Sequence, residues 1–288
     1  MDKRFNTTGV CIPDQHYMVN IEEKLKQIKL LIDDRHYFTI NRGRQYGKTT
    51  TLTALESYLA DEYTVISISF EGFGTTGFAD EETFCQKFLN SISLYMSIVH
   101  PKKPYANDWK NKSVKDFDLL SRHITNMCKD KKVILMIDEV DKASNYSVFL
   151  DFLNVLRSKY LLRAKGHDFT FHSVILAGVY DIKNIKLKMV LDGKHRLTSN
   201  EVEQNSPWNI AASFEVDMSF SEAEIAGMLK DYEIEHAVGM DIGLLATEIH
   251  SYTGGYPVLV SSICWYLAEK IKQWTIGGVE EAVSRLVR

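Results

Sequence analysis

The chain has 288 residues, 45% hydrophobic and 25% charged, with a formal net charge of -4 and a pI near 6.2. That is enough apolar material for one large domain or two modest ones, and it excludes a protein built mainly to coat nucleic acid, while leaving a local basic patch open. Residues 1–9 carry charge with no apolar run behind them, so no secretory signal is expected, and the apolar stretch 256–268 is too short and too rich in serine for a membrane span.

Ile21, Leu25, Ile28, Leu31 and Ile32 recur at helical spacing. Residues 37–41, Tyr-Phe-Thr-Ile-Asn, form a short aromatic and β-branched run that reads as a strand, and helix-forming sequence resumes over 48–60. Residues 63–70 predict a buried strand closed by Glu71-Gly72-Phe73-Gly74. Helices are predicted over 81–97 and 114–128, on either side of a polar connection with Pro101, Lys102, Lys103 and Pro104. The unbroken apolar run 133–137 is that of a strand covered on both faces of a parallel sheet. A helix over 147–162, a strand over 171–177, a long polar stretch and a last strand over 213–218 follow.

This alternation predicts an α/β fold, a parallel sheet flanked by helices. After Phe220 the pattern is helical only: Ser221 with Glu224 three residues on reads as a capping box, and breaks fall near Gly239 and Gly254-Gly255. The expected organisation is an α/β domain over 1–219 and a small all-helical domain over 220–288. Cys11, Cys85, Cys128 and Cys264 are scattered, and neither they nor the nine histidines show metal-ligand spacing. Reduced thiols in a cytoplasmic protein are expected, and a metal site made of protein groups alone is not.

The chemistry is concentrated in Phe38-Thr-Ile-Asn-Arg-Gly-Arg-Gln-Tyr-Gly-Lys-Thr-Thr50. A strand, a tight loop and a helix in this order bring free backbone N–H groups and the helix dipole onto an anion. In a phosphate-binding loop Lys48 reaches the β- and γ-phosphates and Thr49 offers its hydroxyl to Mg²⁺. The usual G-x-x-x-x-G-K-[ST] pattern wants glycine at position 42, where this chain has Arg42, with Gly43 one place later. The plain alternative is a chance Gly-Lys-Thr in a loop, against which stand the preceding strand and following helix.

The second motif is Val133-Ile-Leu-Met-Ile-Asp-Glu139. Asp138 is the candidate Mg²⁺ ligand, and Glu139 the candidate general base that polarises an attacking water. A solvated acidic turn is the alternative, since Asp141 follows closely. In ATPases that use a catalytic Glu, the 171–177 strand would sit between the two motif strands. At its end a polar sensor of the γ-phosphate is common. Residues 178–181 read Gly-Val-Tyr-Asp, so Tyr180 or Asp181 is the candidate, against a loop with a capping Asp.

Four stretches together resemble the bacterial AAA-ATPase-like family, akin to archaeal-type and STAND (signal transduction ATPases with numerous domains) P-loop ATPases. They are Pro13-Asp-Gln-His-Tyr-Met-Val19, the Phe38 to Leu52 motif, Asn205-Ser-Pro-Trp-Asn-Ile210 and Tyr252-Thr-Gly-Gly-Tyr-Pro-Val-Leu-Val260. The resemblance covers nearly the whole chain and implies a P-loop NTPase followed by a helical lid. It makes an arginine at position 42 ordinary. It also implies that Arg42, Gly43, Arg44, Gln45, Tyr46, Gly47, Lys48, Thr49 and Thr50 form the nucleotide loop. Tyr17, within His16 to Val19, would wall the base, and Pro257 of Gly255-Tyr256-Pro257 would pack near adenine; a helix-to-helix turn is the alternative for Pro257. Longer members carry a nuclease-like domain after the lid. This sequence stops at Arg288 within helix-like residues 278–288, as a piece of a longer protein or a short member would, and no nuclease activity is expected of it.

ATPases of this kind often complete the site with an arginine, for which Arg157, Arg163 and Arg196 are candidates against ordinary surface arginines. Lys183, Lys186, Lys188, Lys194, His195 and Arg196 form a basic series, a nucleic-acid contact or a solvated loop. The leading expectation is Mg²⁺-dependent ATP hydrolysis that drives a conformational switch, with a protein partner or homo-oligomer compatible and no membrane involved. The competing readings are a non-hydrolysing ATP- or ADP-binding interaction module and a P-loop kinase. Glu139, the extra strands and the helical C-terminal region disfavour the kinase.

Overall fold

A computed structural model describes residues 3–101, 113–180, 182 and 206–287. Of the residues singled out above, Lys102, Lys103, Pro104, Asp181, Lys183, Lys186, Lys188, Lys194, His195, Arg196 and Asn205 lie outside the described residues. Contacts divide the chain into two compact units. One holds Ile28–Gly43 and Leu52–Glu215; the other holds Met1–Gln27, Arg44–Thr51 and Val216–Arg288.

The first unit is built on β1 (Tyr37–Asn41), β2 (Thr64–Ser69), β3 (Val133–Asp138) and β4 (Ser173–Gly178). All are parallel, in the order β1-β4-β3-β2, so β4 lies between the strands that carry the two motifs. Parallel pairing needs crossover connections, and these are the helices between the strands. Every residue of β3 and β4 is buried, which requires cover on both faces. Ile66, Leu135, Ile137, Val174 and Leu176 share one core with α3 (Glu81–Val99), α4 (Phe117–Cys128) and α5 (Ser147–Ala164). The alternate residues Phe38, Ile40, Ile134, Met136 and Ile175 are fully buried too, as are Ile28 and Ile32 of α1 (Glu22–Asp33) and Leu55 and Leu59 of α2 (Lys48–Leu59). Each such side chain contributes about 1.5–3 kcal/mol by leaving water. Asp80 and Asp116 start α3 and α4 by accepting the backbone N–H of Thr83 and Leu119, each at 2.8 Å.

The free edge of β1 is covered in a way the residue pattern does not announce. Residues 213–218 alternate like a strand but form no ladder; the single bridge joins Phe38 to Ala212, whose N–H donates to the Tyr37 carbonyl at 2.8 Å. Alternation reports which side chains are buried, and here the burial comes from separate side-chain contacts: Phe214 stacks on Phe38 with centroids 5.8 Å apart. Trp208 is fully buried beside β1, its Nε1 donating to Thr39 Oγ1 at 2.9 Å and its ring 6.0 Å from Tyr37.

In the second unit the helices are α6 (Glu222–His236), α7 (Ile242–Thr253), α8 (Pro257–Tyr266) and α9 (Ile276–Leu286). Ser221 and Glu224 form the reciprocal capping box that opens α6. The core of these helices also takes in the N-terminal segment: Phe5, Tyr17 and Val19 are buried among Ile225, Leu229, Leu245, Ile249 and Ile263. Phe5 lies 4.9 Å from Tyr17 and 5.3 Å from Tyr232, and Tyr232 lies 4.6 Å from Trp274. Among the described residues no helix is long and apolar enough to cross a membrane.

Candidate functional site

The loop between β1 and α2 turns through two left-handed residues. Gln45 has φ 59° and Gly47 φ 75°, after which Lys48 opens α2 and the Thr51 N–H bonds to the Gly47 carbonyl at 2.8 Å. A side chain on Gly47 would meet nothing within 4 Å, so its glycine answers the backbone conformation, not crowding. Such a curl into a helix N-terminus gathers backbone N–H groups toward one point, the arrangement that receives an anion.

Arg42 has no left-handed backbone and needs no glycine. Its N–H continues the β1–β4 pairing onto the Gly178 carbonyl at 3.2 Å, and its guanidinium donates to the Asn41 carbonyl at 3.0 Å while lying 5.6 Å from the Phe214 ring. The departure from the usual glycine pattern thus has a local reason.

Within the second unit the loop is held from two sides. The N–H of Cys11 donates to Thr50 Oγ1 at 3.2 Å. Tyr46 shares a hydrogen bond of 3.2 Å with Ser219 Oγ and packs its ring 4.7 Å from that of Tyr256, whose hydroxyl donates to the Arg44 carbonyl. A cavity of about 840 Å³, counting the part open to solvent, ends on this loop. Gln45, Tyr46, Gly47, Thr50 and Thr51 form one side. Tyr17, Val19, Met218, Phe220, Met228 and Pro257 supply an apolar wall, and Asn6, Thr7, Thr8, Lys24 and Ser261 add polar groups. An apolar cleft with a few placed polar groups is the ordinary form of a small-molecule site.

Gly255 places Pro257 in that wall. Its φ is +73°, and a Cβ built on it would stand 2.0 Å from the Phe220 carbonyl oxygen. The Phe220 N–H donates to the Gly255 carbonyl at 2.8 Å, so the two backbones touch next to the cavity-lining residues Phe220 and Pro257. Tyr17 also lines the cavity, and its hydroxyl bonds to Glu235 Oε2 at 2.5 Å and His236 Nε2 at 2.9 Å. Lys24, only 8% exposed, is ion-paired with Glu224, the residue that also completes the α6 capping box.

The sequence motifs did not point to Asn6, Thr8, Lys24, Phe220 or Ser261. The 6–9 stretch has no periodicity to mark it, and Lys24 sits on the polar side of the α1 pattern. Its partly buried partner, Glu224, is 200 positions away.

The acidic pair belongs to the other unit. Asp138 ends β3, is 7% exposed, and accepts the Glu139 N–H on Oδ1 at 2.8 Å. Glu139 follows with φ 54°, a left-handed conformation that costs a residue with a side chain about 1–2 kcal/mol. Since the strands are parallel, this pair, Gly178 and Arg42 share the C-terminal edge of the sheet. Arg163 is at the opposite edge: its guanidinium donates to the carbonyls of Arg35, Phe171 and His172, beside the starts of β1 and β4. Within this unit it buttresses the strand starts, away from the acidic pair. Arg157 donates to Asn209 Oδ1 at 3.0 Å. Tyr180 is half-exposed, with its backbone N–H on Asp141. The candidate residues thus fall into two sets, Arg42, Gly43, Asp138 and Glu139 in one unit and Tyr17, Arg44 to Thr50 and Pro257 in the other.

Among the described residues no cluster of three or more His, Cys, Asp or Glu could hold a metal ion. The hydroxyl of Thr49 in one unit and the carboxylate of Asp138 in the other are each hard oxygen donors of the kind Mg²⁺ takes.

Residues 15–277 match the AAA-like domain family. No curated protein matches the sequence. The fold is similar to that of the Walker-type ATPase paby2304 of Pyrococcus abyssi, with a TM-score of 0.61 at 13% identity over 98% of this chain and 75% of that one. It is also similar to Cdc6p from Pyrobaculum aerophilum, with a TM-score of 0.51 at 16% identity over 97% and 70%. A third similar structure is the ORC2 protein of Aeropyrum pernix in ADPNP–ADP complexes, with a TM-score of 0.54 at 12% identity over 92% and 67%.

Proposed function

The chain belongs to the AAA-like domain family, and on that premise we propose that it binds ATP and hydrolyses it with Mg²⁺, using nucleotide state to switch its conformation. The observation that carries this reading is the apolar cavity that ends on the curled, glycine-containing start of α2. Such a shape suits a flat base at one end and phosphates at the other. Tyr17, Phe220 and Pro257 wall the base in this assignment, and the backbone of Gly43 to Thr50 receives the phosphates.

Lys48 pairs with the β- and γ-phosphates. Thr49 and Asp138 would be the protein ligands for Mg²⁺, which when bound would supply neutralisation of charge on the phosphate oxygens. Glu139 takes a proton from the attacking water, and its left-handed backbone marks a conformation held against local preference, as at many functional residues.

The test is a pair of substitutions. Lys48→Ala should weaken nucleotide binding roughly 10- to 100-fold, the size of a lost charge-assisted contact. Glu139→Gln should retain binding while turnover falls about 100-fold or more. Unchanged nucleotide affinity in Lys48→Ala would show that the site is misassigned. One observation favours a second reading, a tight-binding interaction module: Gly178-Val179-Tyr180 brings no Asn, Ser or Thr to the sensor position. Absence of turnover over a day, with ADP copurifying, would select it.

A further inference from the structure

Asp141 lies in the short helical turn Val140–Lys142 that follows Glu139, and no part of the proposed reaction uses it. Both its oxygens are engaged: Oδ2 accepts the Val179 N–H at 2.5 Å and Oδ1 accepts the Tyr180 N–H at 3.0 Å. These are the first two residues after β4. The last residue of that strand, Gly178, accepts the Arg42 N–H at 3.2 Å, where the chain leaves β1 for the phosphate loop.

The junction has no slack. A Cβ on Gly178 would stand 2.9 Å from Val140 Cγ2 and 3.0 Å from Asp141 Oδ2. One carboxylate therefore ties the turn after β3 to the end of β4, and the Gly178 carbonyl in turn holds the Arg42 N–H beyond β1, all within one unit. Glu139, two residues away, holds a left-handed conformation that surrounding contacts must maintain.

We infer that Asp141 is a positioning residue for hydrolysis: by clamping the amides of Val179 and Tyr180 it fixes the turn that carries Asp138 and Glu139 against the end of β4. This rests on the ATPase reading above. The carboxylate shape matters, because two convergent acceptor atoms are needed. An asparagine offers one acceptor and turns an NH₂ donor toward the other N–H.

The experiment compares the whole chain with Asp141→Asn and Gly178→Ala, the latter crowding the same carboxylate. Four quantities are read: ATP turnover, affinity for a fluorescent ATP analogue, the thermal unfolding midpoint, and hydrogen exchange of the peptide spanning Val179 and Tyr180. Turnover in Asp141→Asn should fall about 10-fold or more, with affinity within about threefold of the unsubstituted chain and faster exchange confined to that peptide. Gly178→Ala should show the same split. Turnover that survives while exchange accelerates overturns the inference, because the clamp is then released without consequence. Parallel loss of affinity, turnover and thermal stability overturns it too, since that is the mark of a merely structural cap. A chain that binds nucleotide but never turns it over, even unsubstituted, defeats the ATPase reading itself and is recognised before any variant is made.

Discussion

Adjacent glycines at the end of α7 permit a controlled test of how the cavity wall is built. Gly254 and Gly255 both have left-handed backbones, with φ of +55° and +73°. An alanine at either should cost about 1–2 kcal/mol for that conformation alone. Their surroundings differ: a Cβ on Gly254 meets nothing within 4 Å, whereas one on Gly255 stands 2.0 Å from the Phe220 oxygen and 2.8 Å from its nitrogen. Since the obstacle is backbone, it cannot swing aside, and the Phe220–Gly255 hydrogen bond must break or lengthen.

Gly255→Ala should therefore lose about 1 kcal/mol more for that bond and roughly 1–3 kcal/mol for the displaced chain. With about 2–4 °C per kcal/mol at this chain length, Gly254→Ala should lower Tm by roughly 2–8 °C and Gly255→Ala by roughly 6–24 °C. Phe220 and Pro257 line the cavity on either side of this contact, so Gly255→Ala should also weaken binding of a fluorescent ATP analogue about 10-fold, and Gly254→Ala should not. Equal Tm losses in the two variants, or unchanged binding in a folded Gly255→Ala, would refute the argument that this close approach shapes the wall.

Other predictions concern single groups. Burial, helped by Arg35, Arg163 and Lys132, lowers the His172 pKa from 6.5 to about 4. The folded chain then refuses a proton that the unfolded chain accepts, so the contribution is complete above pH 6.5 and is lost as pH falls toward 4, by about 3 kcal/mol at most. Urea unfolding of His172→Gln should show a correspondingly smaller stability loss across that window; identical slopes would refute it. Trp208→Phe removes the donor to Thr39 and should cost about 2 kcal/mol, read as a lower urea midpoint with unchanged m. Tyr256→Phe removes the donor to the Arg44 carbonyl, a loss of about 1 kcal/mol that should appear as roughly fivefold weaker nucleotide binding.

What could be read from the residues beforehand was what local physics decides. β1 and β3 are apolar runs between turn signals, and the Ser221–Glu224 box is a reciprocal contact over three residues, so each is visible in a short window. The position of β4 between them followed from the class of fold that a strand ending in Asp-Glu suggests. Residues 213–218 misled because alternation records burial without saying whether the backbone pairs. Phe5 and Tyr17 carry no period at all; their place in the helical core comes from contacts more than 200 residues along the chain, with Tyr232, Glu235 and Trp274. Nothing in the sequence signals that Glu139 is left-handed, since only the packing around it holds that conformation.

The grouping of residues 44–51 with the N-terminal segment and the C-terminal helices bears on how a switch would work. A ligand moves an equilibrium only by its difference in affinity for the two states. Among the contacts that hold the loop to its unit are Cys11 to Thr50, Tyr46 to Ser219 and Tyr256 to Arg44, each worth about 1 kcal/mol. A tenfold preference of ATP over ADP for one arrangement is about 1.4 kcal/mol, comparable to one of these bonds and short of all three together. On the ATPase reading, loss of the γ-phosphate should therefore release one loop contact and leave the aromatic core of Phe5, Tyr17, Tyr232 and Trp274 intact. Hydrogen exchange in ATP and ADP should differ over 44–51 and 254–257 and agree over α6 and α7. A difference spread evenly through those helices would mean that the coupling runs through the core.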